Sequence, residues 1–310
     1  MNLSTADNET EPIAVEDRER IPSWQDPRVI SSYKRRRVED FVIKILTTTS
    51  LVLVLYPLAD ILYRFAYRGL QSISLPALTQ VARDGGLASN IAGTFLVAGL
   101  STVIAVPIGV LGGIYLAEFS GRSRYAELVR FVSDVMAGIP SIVLGYVGFL
   151  LFVLYFGWGL SALAGGVTLA ILMLPYILRT TELSIRKVPL SIREAAAALG
   201  STKAQLVNRL TFKLALPGIL TGILLSVSIA MGETAPLLWT AGTSQSYPCG
   251  LTGCPGGVGY LTRIFYDFLL NPNPTAEVQN LAYLSAFLLM SFAIGINIVA
   301  RFGLRRISKI

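Results

Sequence analysis

Apolar residues in this chain come in unbroken blocks rather than at the alternating or 3.6-residue periods of half-buried strands and helices. Six blocks stand out, at residues 41–62, about 87–116, 135–156, 160–178, 214–239 and 281–300. Each is 19 residues or longer. At about 1.5 Å per helical residue that length crosses roughly 30 Å of hydrocarbon, so the pattern predicts six transmembrane helices and a polytopic all-α protein. A membrane β-barrel would alternate every second residue, and these blocks do not. Gly93, Gly99, Gly109, Gly112, Gly113, Gly145 and Gly148 fall inside them, as do Pro107, Pro140, Pro175, Pro217 and Pro236. Such helices pack closely and bend, because glycine admits a neighbouring backbone and proline removes a ladder hydrogen bond.

Four segments frame the blocks. Residues 1–40 are polar, with nine acidic and seven basic side chains and no helical stripe, which predicts a disordered tail. The first block comes too late and runs too long for a cleaved signal, so residues 41–86 are expected to form a retained first helix and an external loop. Residues 87–302 make a core domain of five helices, with a long loop at 180–216 and an external loop at 242–280. Residues 303–310 form a short basic terminus.

Charge sets the orientation. Of 26 Lys and Arg residues, 22 fall in the tail, at Lys44 just inside the first block, in the loops after the second and fourth blocks, and at the C-terminal end. Only Arg64, Arg68, Arg83 and Arg263 fall on the other side. Loops rich in Lys and Arg stay in the cytoplasm, so both termini and the 180–216 loop are expected there. The Cys249 to Cys254 loop is then external, where a disulfide can persist; two unpaired thiols are the alternative.

Composition excludes several chemistries. The chain has no histidine, hence no Ser/His/Asp triad and no His-ligated zinc, and two cysteines are too few for a four-thiolate metal site. It carries no G-x-x-x-x-G-K-[ST] loop, so any nucleotide energy must come from another chain.

The 35-residue connection between the fourth and fifth blocks is long for a bundle and predicts its own structure. Pro189 precedes Ser191-Ile192-Arg193-Glu194, an S-x-x-E capping box, and helix-forming Ala195 to Leu199 end at Gly200. Ser201 or Thr202 can then cap a second helix, with Gln205 three residues after Thr202. Local physics alone leaves Glu194 as a helix cap.

Two further clusters carry candidate chemistry. Arg179-Thr180-Thr181-Glu182 ends the fourth block: a guanidinium fork grips an oxyanion through two bonds, and threonine hydroxyls add donors. The bland alternative has Arg179 snorkelling to headgroups and Glu182 pairing with Arg186 four residues on. Glu233, followed by Thr234, lies well inside the fifth block, where an acid costs about 2.5 to 3.5 kcal/mol to insert and is functional by default. The alternative is a protonated carboxyl bonded to a neighbouring helix.

Glu194-Ala195-Ala196, then Gly200 and a later Leu216-Pro217, resembles the EAA loop of binding-protein-dependent type I ABC importer permeases. Asn90-Ile91-Ala92-Gly93-Thr94, Gly138-Ile139-Pro140-Ser141, Arg179-Thr180-Thr181-Glu182 and Gly232-Glu233-Thr234-Ala235-Pro236 extend the resemblance from about residue 90 to 301 and narrow it to phosphate permeases. The resemblance implies a type I permease fold whose short loop helix docks on an ATPase through Arg193, Glu194, Ala195, Ala196 and Gly200. It implies a non-catalytic subunit with no cofactor of its own, ATP and Mg being held by the ATPase. It further implies a second, distinct permease, two ATPase subunits, an external phosphate-binding protein, surrounding lipid and no nucleic acid, in a prokaryotic plasma membrane. The substrate path implied is Arg179, Thr180, Thr181 and Glu182 at an inner station and Glu233 with Thr234 at an outer one. Two positions depart from the family pattern: Phe212-Lys213 stands where Leu-Pro is usual, and Ile229 where a basic residue is usual. Permeases for sulfate or molybdate, a proton-coupled secondary transporter using Glu182 and Glu233, and a non-transporting scaffold are the rival readings.

Overall fold

The computed structural model describes residues 27–121, 123–253 and 255–307, with side chains described from 39 to 298. Helix dominates and no strand occurs among the described residues. The chain divides into two units, Met1–Ile61 and Leu62–Ile310. The first consists, in its described part, of most of α1 (Pro27–Gln71), whose apolar window has no buried residue. Residues 27–40, expected to be irregular, are helical, because Pro27 offers a pre-set first helical turn and the apolar block extends it. The rest of the expected tail lies outside the described residues, as do Cys254 and residues 308–310.

The second unit begins with the last turns of α1 and a short α2 (Leu75–Thr79). It continues with α3 (Ala88–Ile114), extended by a π-helical turn Tyr115–Phe119, and α4 (Arg124–Gly138). α5 (Ser141–Gly148) runs on into a π-helical stretch Phe149–Tyr155, and α6 spans Ala162–Arg186. Next come α7 (Leu190–Ala198), α8 (Lys203–Gln205) with a π-helical stretch Leu206–Thr211, and α9 (Phe212–Gly232). α10 (Ala235–Thr240), α11 (Leu261–Leu270) and α12 (Ala276–Ile307) complete the fold. Five helical stretches are long and apolar enough to cross a membrane, and α4 with α5 makes a sixth candidate bent by 103°.

Two apolar blocks therefore do not form single helices, and proline explains both breaks. Ile139 is extended, with ψ 129°, because a residue before proline is driven out of helical geometry, here by Pro140. The fifth block stops at Gly232. Pro236 cannot donate to the Gly232 carbonyl four residues earlier and its ring would strike it, so Glu233 turns to ψ 136° and α10 starts afresh. Pro57, Pro107, Pro175 and Pro217 remain inside helices.

The bundle is built around α6, the most buried of the spans. Leu169, Met173 and Ile177 pack with Val97 and Ala105 of α3 and Ala230 of α9. Small residues set the approach. A Cβ on Gly113 of α3 would lie 2.6 Å from the Thr181 Cβ of α6 and 2.8 Å from the Leu178 carbonyl. At the other end of the bundle the Asn90 to Thr94 motif anchors the 242–260 loop: Asn90 Nδ2 donates to the Tyr260 carbonyl at 3.3 Å, and the Leu261 amide donates to Thr94 Oγ1 at 2.9 Å.

The 180–216 loop differs from its expected form in one cap and in its second helix. α7 starts at Leu190 with Pro189 as its cap, so Ser191 lies inside the first turn and no Ser191–Glu194 capping box forms. Thr202 and Gln205 do form one, and Gly200 turns the corner at φ +76°, where a Cβ would be strained. α8 then runs without a break into α9, so the loop holds one separate helix rather than two.

Replacing Gly113 with valine should force α3 off α6 and destabilise the fold by about 1–3 kcal/mol, the usual cost of overpacking. A thermal unfolding scan of the detergent-purified variant checks this; an unchanged midpoint contradicts the close approach.

Candidate functional site

The last turns of α6 carry a buried carboxylate among three guanidinium groups. Glu182 is 1% exposed. Its Oε1 accepts from Arg130 Nε at 2.8 Å and lies 2.7 Å from Arg186 Nη2, while Oε2 faces Arg179 Nη1 at 3.5 Å. Arg179 and Arg186 come from α6 itself, at the spacings that bring helical neighbours together. Arg130 arrives from α4 and also donates Nη2 to Ser120 Oγ at 3.4 Å and, at 3.0 Å, to the Leu116 carbonyl, which accepts from Ser120 Oγ as well. A single carboxylate thus carries three cations, and the half-exposed Arg179 and Arg186 side chains present the surplus positive charge to the surroundings. Oε2 of Glu182 makes no hydrogen bond.

The two threonines beside Arg179 are placed differently from the flanking donors the sequence suggests. Thr180 donates Oγ1 to the Tyr176 carbonyl at 2.7 Å and packs where α9 has Gly222. Thr181 is fully buried against α3, with an unpartnered hydroxyl. The side-chain donors around Glu182 are therefore arginines rather than threonines.

Glu233 occupies the break between α9 and α10 instead of the middle of a helix. Its carbonyl accepts from Thr262 Oγ1 of α11 at 3.0 Å, and Ser141, the first residue of α5, lies against its carboxyl. Gly145 lets α5 approach α10: a Cβ there would sit 2.6 Å from Pro236 Cα. The two proline breaks, one after α4 and one after α9, consequently face each other. Thr234 forms the cap position of α10 and its carbonyl accepts from the Leu238 amide. Glu182 and Glu233 share no partner, so they stand as two separate polar stations.

At the α7 corner, Glu194, Ala195 and Gly200 are exposed and Ala196 is half-buried. Leu199 is 87% exposed. Ala195, Ala196 and Leu199 line, with Ile192, Leu206 and Leu210, the apolar part of a groove of about 480 Å³ that Gln205 and Arg209 edge. Arg193 is turned the other way, to Glu118. In the opposite loop Cys249 is disulfide-bonded, whereas Cys254 lies outside the described residues.

Arg130, Glu118 and Ser120 are the site residues that sequence reasoning missed. Arg130 reads as one more positive-inside charge. Glu118 does carry a local signal: an acid at the C-terminal end of a helix opposes the helix dipole and so needs a cation.

A helical bundle with broken apolar spans, buried charge and an exposed Glu-Ala-Ala loop defines a membrane permease. The family model for binding-protein-dependent transport system inner membrane components matches residues 109–309, and the chain belongs to that family. It is similar to phosphate transport system permease protein PstA 2 of Mycobacterium bovis, 39% identical over 285 residues that cover 91% of this chain and 92% of that one. It is also similar to PstA of Yersinia pestis, 34% identical over 96% of this chain and 97% of that one. Among solved structures, the inward-facing MetNI methionine ABC transporter aligns with TM-score 0.57 at 21% identity, covering 76% of this chain and 99% of that chain. The type I importer permease fold is shared at that level.

Glu182→Gln should destabilise the protein by about 3 kcal/mol, because it leaves three arginines without their buried counter-charge. Glu233→Gln, at a half-exposed break with a neutral partner, should cost about 1 kcal/mol or less. Thermal unfolding of both variants checks the order, which a larger effect at Glu233 would reverse.

Proposed function

We propose that the chain is a translocation-path subunit of an ATP-driven importer of inorganic phosphate. The observation that carries this reading is the similarity to phosphate permeases over nine-tenths of the chain, joined to a buried Glu182 that holds Arg179, Arg186 and Arg130 at the α7 end of the bundle. Its partners are a second permease, two ATPase subunits that bind ATP and Mg, and an external binding protein that delivers phosphate. Both termini and α7 face the cytoplasm, in accord with the Lys and Arg bias, in the plasma membrane of a prokaryote or its inner membrane where two exist. This subunit performs no hydrolysis. α7 docks on the ATPase through Glu194, Ala195, Ala196 and the Gly200 corner, and the apolar groove beside Leu199 suits a helix-in-groove contact.

Phosphate passes two stations. The outer one is Glu233 with Thr234 at the facing helix breaks, and the inner one is the Arg179 group. At the inner station the guanidinium of Arg179 binds the oxyanion, and Glu182 serves in two ways. It keeps the arginines gathered, and its free Oε2 beside Arg179 accepts a hydrogen bond from the P–OH that phosphate retains near neutral pH. Sulfate has no such proton and meets repulsion there. Thr180 and Thr181 shape the wall behind Arg179, through their packing on α9 and α3. Both stations bind weakly, since the external protein holds the tight site and a path must also release its cargo.

Arg179→Gln should abolish ATP-dependent phosphate uptake by the reconstituted importer while leaving its assembly intact; uptake near the normal rate would reject the inner station. Glu182→Gln should lower the ratio of phosphate to sulfate uptake, a readout independent of how much protein accumulates. An unchanged ratio removes the proton-reading role.

A further inference from the structure

Arg193 sits immediately before the Glu-Ala-Ala sequence, yet its guanidinium reaches into the protein. Nη1 donates to Glu118 Oε1 at 2.6 Å and Nη2 donates to the Ile185 carbonyl at 2.7 Å. The two side chains are 20% and 5% exposed, which makes this a largely sheltered pair. Glu118 belongs to the π-helical turn Tyr115–Phe119 at the end of α3. The same turn is held from its other side by Arg130, through the Leu116 carbonyl and Ser120 at its edge. Arg130 continues to Glu182 on α6. Two arginine grips, Arg193 on Glu118 and Arg130 on the Leu116 carbonyl, are thus joined through the backbone of this turn, and Arg130 completes the connection from α7 to the arginine group of α6.

We propose that the Tyr115–Phe119 turn is a relay, in which Glu118, Arg193 and Arg130 are positioning residues that carry a displacement of α7 to the Glu182 group. The proposal rests on the reading of α7 as the element an ATPase moves. A relay needs stiff grips with something yielding between them. Charge-assisted hydrogen bonds of 2.6 to 2.8 Å supply the grips. A π-helical turn supplies the compliance, since its i→i+5 bonds hold one more residue than an α-turn and can re-register to i→i+4. When α7 shifts, Arg193 draws on Glu118, the turn tightens, and the Leu116 carbonyl moves relative to Arg130. Arg130 then changes its hold on Glu182, and the balance between that carboxylate and Arg179 changes with it. Glu118 touches neither the groove beside α7 nor the arginine group directly, so it acts only through its neighbours.

The test uses the complete importer in liposomes, with ATP hydrolysis and phosphate uptake measured side by side. Glu118→Gln should retain ATP hydrolysis while the phosphate moved per ATP falls about tenfold, the size expected for losing one link in a coupling network. Glu118→Asp, which keeps the charge that Arg193 holds, should retain more of that ratio than Glu118→Gln, a difference that a merely structural role would not produce. Arg193→Lys keeps the charge but loses the fork, so it should lower the ratio too and carries the test if Glu118→Gln fails to accumulate. A wild-type ratio in Glu118→Gln or in Arg193→Lys, or Glu118→Asp no better than Glu118→Gln, overturns the relay alone. A wild-type assembly that moves no phosphate with ATP overturns the proposed function instead, and the relay with it.

Discussion

Glu182 is the hinge on which this molecule's polar architecture turns. A carboxylate 1% exposed inside a greasy bundle is tolerable only with charge around it, and three arginines provide more than enough. The surplus has consequences in two directions. Inward, Arg130 ties α4 to α6 and bonds the Leu116 carbonyl and Ser120 at the end of α3, so one ion-pair group joins three elements. Outward, Arg179 and Arg186 keep positive charge on half-exposed side chains. Stability and the outward-facing positive charge are thereby drawn from the same carboxylate.

The second constraint is packing at glycine. α6 occupies the centre because small residues on its neighbours admit it closely, Gly113 against Thr181 and Gly222 against Thr180 among them. Close approach explains why the threonines of the Arg-Thr-Thr-Glu run are spent on packing while the arginine at its head stays half-exposed. It also explains the pairing of the two proline breaks. Gly145 lets α5 slide against Pro236, so the irregular backbone at Ile139 and at Glu233 meets within the bundle, where α11 supplies the hydroxyl of Thr262. Irregular backbone inside a membrane is sustainable only when other protein groups satisfy it.

In the proposed function, α7 is the element that joins these features to an ATPase outside the chain. Its outer face is small, apolar and open, and its inner face is fastened through Arg193 to the ends of α3 and α6. A helix attached so firmly on one side and so exposed on the other suits the transmission of force between a docked partner and the spans behind it.

Much of this was legible in the residues alone. Six apolar blocks, the Gly200 corner, the Thr202–Gln205 cap and the Glu-Ala-Ala loop all follow from local rules of length, backbone freedom and hydrogen bonding, which act over a few neighbours and need no fold. Glu182 pairing with Arg186 is equally local, being four residues away on one helix. The tertiary structure decided the rest. It chose which of the prolines would break a span, since proline at 107, 175 and 217 stays within a helix while Pro140 and Pro236 end one. It gave Ser191 a place inside α7 rather than at its cap, and it brought Arg130 and Glu118 to partners 52 and 75 residues away. Sequence spacing says nothing about such pairs, because a buried ion pair depends on which helices lie side by side, and that depends on where every small residue permits contact.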